Sequence, residues 1–177
     1  NPKKGDVICT FRLTCSTLID HLTMSDTAAE TFNRRPIEIL LVEDNPGDVR
    51  LTREAMRESS IANNLSVVTD GASAIEFLDQ RGAFANAPIP DLVLLDLNLP
   101  KISGHEVLRY VKGSDTLKMI PVIALSTSGA ERDIQACYAD HVNCYITKPM
   151  SYDPFMDLML DISNFWFRHV DLPIRRS

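Results

Sequence analysis

Five short apolar runs recur along the chain from Pro36 onward, and they limit the fold more than any other feature. They are Ile37 to Val42 (IEILLV), Leu65 to Thr69 (LSVVT), Asp91 to Asp96 (DLVLLD), Pro121 to Leu125 (PVIAL) and Cys144 to Thr147 (CYIT). A strand with one wet face alternates apolar and polar residues. Continuous runs are instead covered on both faces, as in a parallel sheet. Parallel strands need long crossover connections, and segments with helical spacing lie between the runs. Leu51, Ala55 and Met56 share one side of Val49 to Ser59, and Ala72, Ile75 and Leu78 mark a second helix. Val107, Leu108 and Val111 mark a third, Glu131 to Ala139 a fourth, and Tyr152 to His169 the last. Arg81 to Pro90 carries Gly82, Asn86 and two prolines and reads as a loop. The expected fold is α/β: one doubly wound domain over residues 36 to 168, a five-stranded parallel sheet with five helices.

A chain of 177 residues has room for one ordinary core plus an extension. Residues 1 to 35 read as that N-terminal extension, either non-native or disordered, and 169 to 177 as a C-terminal tail. Met24-Ser25 resembles a natural start, which would make residues 1 to 23 upstream sequence; an arm that docks on a partner is the other reading. Eighteen Lys and Arg against 24 Asp and Glu leave a net charge of −6, without the basic footprint of a nucleic-acid binder. No apolar run approaches the roughly 18 residues of a membrane span. Asp6 and Arg12 interrupt the apolar stretch after Lys3 and Lys4, which makes a poor signal peptide. Cys9, Cys15, Cys137 and Cys144 form no CxxC and no zinc-finger spacing, so thiols in a reducing cytoplasm are expected.

In an open parallel sheet, ligands bind at the carboxyl ends of the strands. Glu43 and Asp44 follow the first run, Asp96 ends the third, Ser126 follows the fourth, and Lys148 follows the fifth. One rim therefore gathers three carboxylates, a hydroxyl and one ammonium. Two unit charges about 4 Å apart repel by roughly 4 kcal/mol at an effective dielectric of 20. Either one carboxylate keeps its proton or a cation sits among them. Hard oxygen ligands favour Mg²⁺, which uses one or two carboxylates and accepts a phosphate oxygen.

Glu43-Asp44, Asp96, Ser126 and Lys148-Pro149, in this order and on these elements, resemble the receiver domain of two-component response regulators, a flavodoxin-like fold. The resemblance covers Pro36 to Phe167. The stretches VEDNPGDVRLTREA, LDLNLPKISGHEVL and HVNCYITKP look most like single-domain regulators paired with bacterial and cyanobacterial phytochromes. It implies that Asp96 is the phosphoacceptor, attacking a phosphohistidine on a kinase or phosphotransfer protein to give an aspartyl phosphate. It implies Mg²⁺ held by Asp44, Asp96 and the Asn98 backbone carbonyl, with Glu43 binding through a water. Lys148 and the ion would neutralise the transferred group. Ser126 and Tyr145 take the two switch positions, and the Lys148–Pro149 bond is expected to be cis. Thr127 departs from the family's commoner Ala or Gly, and its bulk is expected to narrow access to Asp96. Ser128 and Asn98 border the expected path of hydrolytic water. His105 and His141 read as surface or helix-end residues.

The last helix carries two apolar stripes. Phe155, Leu158, Met159, Ile162, Phe165 and Trp166 form one; Met156, Leu160 and Phe167 lie beside it. A surface helix needs one stripe for its own core. The second suggests a homodimer surface, with Met156, Leu160, Trp166 and Phe167 at its centre, or a stripe covered by residues 1 to 35. The expected function is a phosphorylation-controlled signalling module, not an enzyme. A DNA-binding domain of its own is not expected, since nine residues follow Arg168. The alternative is a Mg²⁺-dependent phosphohydrolase with an aspartyl-phosphate intermediate. Such enzymes carry Asp-x-Asp after the first strand, whereas here Asn98 stands two residues past a nucleophile on the third.

Overall fold

The computed structural model describes residues 35–173. The expectations placed on residues 1 to 34, including the Met24-Ser25 start, Cys9 and Cys15, lie outside the described residues, as do 174 to 177. The elements run β1 (Ile37–Val42), α1 (Pro46–Glu58), β2 (Asn63–Val68), α2 (Gly71–Leu78), β3 (Leu92–Asp96), α3 (Gly104–Gly113), β4 (Val122–Ser126), α4 (Glu131–Ala139), β5 (Cys144–Thr147) and α5 (Tyr152–Arg168). A 3-10 turn, Gly82–Phe84, lies in the segment read as a loop. The five strands are parallel, in the order β2-β1-β3-β4-β5. The chain leaves β1 for β2 on one side and returns to β3 on the other, so the switch point lies at the carboxyl ends of β1 and β3. No helix among the described residues is long and apolar enough to cross a membrane.

Alternate strand residues face opposite layers. Leu40, Val42, Val93, Leu95 and Ala124 pack with residues of α2, α3 and α4. Ile39, Leu41, Leu92, Leu94, Ile123 and Leu125 pack with α1 and α5. Both faces of β3 and β4 are buried throughout, the reason their sequences run apolar without interruption. At the opposite end of the sheet, buried Asp91 accepts two bonds from Arg35 (2.6 and 2.7 Å) and one from the Glu38 amide (2.9 Å), fastening the start of β1 to that of β3.

Two boundaries differ from expectation by more than one residue. Helix α1 begins at Pro46, not Val49: Asn45 caps it through Gly47 N–H (2.8 Å), and proline suits the first helical position. Strand β2 begins at Asn63, which pairs with Ile37 at an edge that tolerates polar residues. Two further expectations are corrected. No cis peptide bond occurs among the described residues, so Lys148–Pro149 is trans, the isomer that X–Pro amides intrinsically prefer. Lys148 N–H donates to Ser126 O at 2.7 Å, and the trans chain already aims its ammonium at the acidic rim.

The second correction concerns α5. Met156, Trp166 and Phe167 are buried in the same core as Phe155, Met159 and Ile162, so they are not a dimer surface. Helix α5 packs against α1 as well as the sheet and needs a stripe wider than one neighbour requires. Tyr152 bonds Glu54 near its start and Arg168 bonds Ser60 at its end. Burying a side chain of this size contributes about 1.5–3 kcal/mol, which the single chain already gains. Leu160 remains half-buried and Phe165 is 55% exposed. Val170 and Leu172, beyond α5, pack partly against this core.

The loop after β3 is held on several sides. Gly104 N–H donates to Leu97 O (3.1 Å), and Ser103 and Glu106 form a reciprocal capping box at the start of α3. Lys101, at φ 66°, reaches buried Asp70 at 2.7 Å. A Cβ on Gly104 would lie 2.2 Å from Asp96 O. Gly104→Ala should therefore destabilise the domain by about 3 kcal/mol, the upper part of the range for overpacking. Urea unfolding measures this; an unchanged midpoint would contradict it.

Candidate functional site

The parallel register brings the four strand ends to one rim. Glu43 follows β1, its amide bonded to Val68 O, and is 1% exposed. Asp96 ends β3 at 6%, Ser126 ends β4 buried, and Lys148 follows β5 at 6%. Asp44 faces solvent. The sequence-predicted acids and lysine do converge. Lys148 Nζ lies 2.5 Å from Glu43 Oε2 and 2.6 Å from Asp96 Oδ2. The remaining carboxylate oxygens are also engaged: Asp96 Oδ1 accepts from Asn98 N–H (2.8 Å) and Glu43 Oε1 from Asn45 N–H (3.1 Å).

Burial opposes charge on both Glu43 and Lys148. For Glu43 burial dominates, the Lys148 hydrogen bond opposes it, and the Asp96 charge adds to it; the carboxyl is pushed from 4.5 up to about 7. For Lys148 the hydrogen bonds to Asp96 and Glu43, with their charges, outweigh burial and hold its pKa above the ordinary lysine value. The two directions agree: the ammonium stays charged, and the crowding of acids around it is relieved by pushing Glu43 toward its protonated form.

Glu43, Asp44 and Asp96 each offer a carboxylate oxygen within 4.8 Å of the others. Three hard oxygens at that separation fit the coordination sphere of a divalent cation such as Mg²⁺ or Mn²⁺. Among the described residues no other group of His, Cys, Asp or Glu does so, and neither His105 nor His141 belongs to it. His105 lies 3.7 Å from the sulfur of buried Cys137, and His141 sits at φ 62° past the end of α4. Burial pushes the Cys137 thiol up to about 11 and raises that of Cys144.

Sequence reasoning missed Asp48. Its Oδ2 lies 3.0 Å from Lys148 Nζ and completes a ring of three carboxylates around the ammonium. Starting α1 at Val49 left Asp48 in a loop; its place is the first turn of a helix that begins beside the rim. A Pro-Gly pair directly after the rim acids is the signal that could have revealed it.

The switch candidates are joined through Ser128. Ser128 N–H donates to Ser126 Oγ (3.1 Å), and Tyr145 Oη donates to Ser128 O (2.7 Å). Ser128 Oγ donates to Asp133 in the first turn of α4 (2.5 Å) and accepts from Ala130 N–H (3.2 Å). Helix α4 has no side-chain cap at Ala130, so Ser128 serves in its place. Asn98 Nδ2 approaches Thr127 Oγ1 at 3.4 Å across the top of the strands.

Response regulator Rcp1 of Synechocystis sp. is 46% identical over 138 residues, covering 78% of this chain and 94% of the relative. The crystal structure of the Mn(2+)-bound form of response regulator Rcp1 superposes with a TM-score of 0.76 at 45% identity, covering 78% of this chain and all of that one. The phosphorylated cyanobacterial phytochrome response regulator RcpA superposes at 0.77 and 46% identity, covering 79% of this chain and all of that one. Residues 39–159 match the family described as the response regulator receiver domain. That match spans more than half of the chain, and with a relative 46% identical over most of its length, the chain belongs to the response regulator receiver domain family.

Proposed function

We propose that this chain accepts a phosphoryl group on Asp96 from the phosphohistidine of a histidine kinase or a phosphotransfer protein, in the cytoplasm, and signals by the resulting change of shape. The observation that carries the reading is the Lys148 ammonium, buried and bonded to both Glu43 and Asp96. The kinase is proposed to be phytochrome-like, since the similar RcpA is a cyanobacterial phytochrome response regulator. The protein is read as a signalling phosphoacceptor, not a turnover enzyme.

In the transfer, an Asp96 carboxylate oxygen forms the bond to phosphorus as the phosphorus–nitrogen bond of the donor breaks, and the electron pair returns to the imidazole nitrogen. Lys148 turns from Asp96 toward a phosphoryl oxygen and balances its charge. Asp44, Asp96 and the Asn98 carbonyl would hold Mg²⁺, with Glu43 gripping a bound water. When bound, the ion neutralises charge on the phosphoryl oxygens. The Asn98 amide fixes one Asp96 oxygen and so orients the other. A groove of about 870 Å³, lined by Asp44, Arg50, Arg53 and Tyr152 among others, opens beside the rim and offers the donor a landing surface.

Phosphorylation adds about −1.5 to −2 charges and three acceptors at Asp96. Ser126 Oγ then has a stronger partner than Ser128 N–H. Its rotation frees the Ser128 amide, and through Ser128 the change reaches the Tyr145 hydroxyl and the start of α4. Two pre-existing arrangements whose balance shifts are sufficient. A homodimer is proposed through the part of α5 that the fold leaves uncovered, Phe165 with half-buried Leu160.

With acetyl phosphate and Mg²⁺, the native chain should gain an acid-labile phosphoryl group. Asp96→Asn should abolish the labelling, and so should removal of the cation by a chelator. Labelling that survives the substitution would refute the assignment. For self-association, sedimentation of the native chain should show a dimer that Phe165→Glu dissociates; a native monomer at high concentration contradicts the dimer.

A further inference from the structure

Asp48 belongs to neither the metal-binding acids nor the switch, yet it touches the one buried cation of the site. We propose that Asp48 is a positioning residue for Lys148: it holds the ammonium by one N–H while another passes from Asp96 to the incoming phosphoryl oxygen. The inference rests on Asp96 being the phosphoacceptor.

An ammonium has three N–H donors and no acceptor. Here all three are used, on Glu43 (2.5 Å), Asp96 (2.6 Å) and Asp48 (3.0 Å). The three acceptors differ in what the reaction asks of them. Asp96 Oδ2 is on the carboxylate that gives up its charge when the phosphoryl bond forms. Glu43 belongs to the acidic group that could hold a cation. Asp48 has no second duty, so its bond to Lys148 persists through the transfer.

The fold makes Asp48 a fixed point. Its amide approaches the capping oxygen of Asn45 at 3.4 Å, and its carbonyl accepts from Thr52 Oγ1 at 2.8 Å. Its position is thus set by α1, whereas that of the lysine backbone is set by the bond from Lys148 N–H to Ser126 O on β4. Beyond its base, the lysine stem is held by the bonds to Glu43 and Asp96, and the Asp96 bond is the one the reaction breaks. The Asp48 bond confines the stem from the solvent side, where Asp48 itself is 25% exposed and Lys148 only 5%. Confinement of a charge-neutralising group acts on the rate of transfer and not on capture of a small donor, because misplacement by about 1 Å costs up to about a hundredfold in rate.

The test uses the full chain with acetyl phosphate and Mg²⁺ as the probe, comparing native, Asp48→Ala and Asp48→Asn. The asparagine variant keeps an acceptor oxygen without the charge. In Asp48→Ala the maximal labelling rate should fall about tenfold with half-saturation unchanged; in Asp48→Asn it should stay within about threefold of native. Nitrogen-15 lysine NMR supplies a second readout. The Lys148 ammonium signal, protected in the native chain, should be lost to solvent exchange in the alanine variant and return in the asparagine variant. An alanine variant with the native rate and an unchanged ammonium signal would overturn the proposal. So would a fall in rate that only tracks the folded fraction measured by circular dichroism, or a change confined to half-saturation. If the native chain takes up no phosphoryl group on Asp96, the function itself fails; if it does and Asp48→Ala matches it, this inference alone fails.

Discussion

A lysine ammonium with three carboxylates around it, almost closed to water, is the interaction on which the rest of the site depends. Neither partner class is tolerable alone. An unpaired ammonium in that position carries a desolvation penalty of several kcal/mol, and so does each buried acid without its counter-charge. Together they still leave an excess of acids over bases, and burial pushes Glu43 toward its protonated form. That excess suits the pocket to a divalent cation and to a ligand that brings phosphoryl oxygens for the lysine to hold.

The sheet exists, functionally, to deliver these groups to one edge. Pairing of β1 with β3 and of β3 with β4 fixes how far each strand reaches, and therefore where Glu43, Asp96 and Ser126 stand. Opposite sheet faces are covered by different helices, so α1 supplies Asp48 from one layer while α4 receives the Ser128 contacts in the other. The site therefore touches both layers. In the proposed switch, a phosphoryl group on Asp96 would draw Ser126 and reach α4 through Ser128 without unpacking either core.

Much of this was legible in the residues. Continuous apolar runs identified buried parallel strands because a strand covered on both faces has no polar side to show, and the polar residues ending each run marked the rim. The edge strand β2 was less legible, because Asn63 and Asn64 carry no apolar signal; Asn64 instead donates from its side chain to Glu38 on β1. Asp48 was missed because a helix start depends on the Asn45 cap, a contact of one side-chain oxygen that periodicity does not register. The double stripe of α5 was visible, but its cover was not. An apolar face reads the same whether a partner chain or the same chain's α1 lies against it, and here Met156, Trp166 and Phe167 go to the chain's own core. The trans bond before Pro149 is the isomer the dipeptide alone favours; the cis expectation came from the family resemblance.

The most direct measurement is chemical mapping of the modified residue after transfer from a phosphorylated histidine kinase. Borohydride reduces an aspartyl phosphate to homoserine, which peptide mass spectrometry locates. Homoserine at position 96, and at no other aspartate of the rim, is the predicted result. Homoserine at Asp44 or Asp48, or modification of a residue remote from Lys148, would contradict the account.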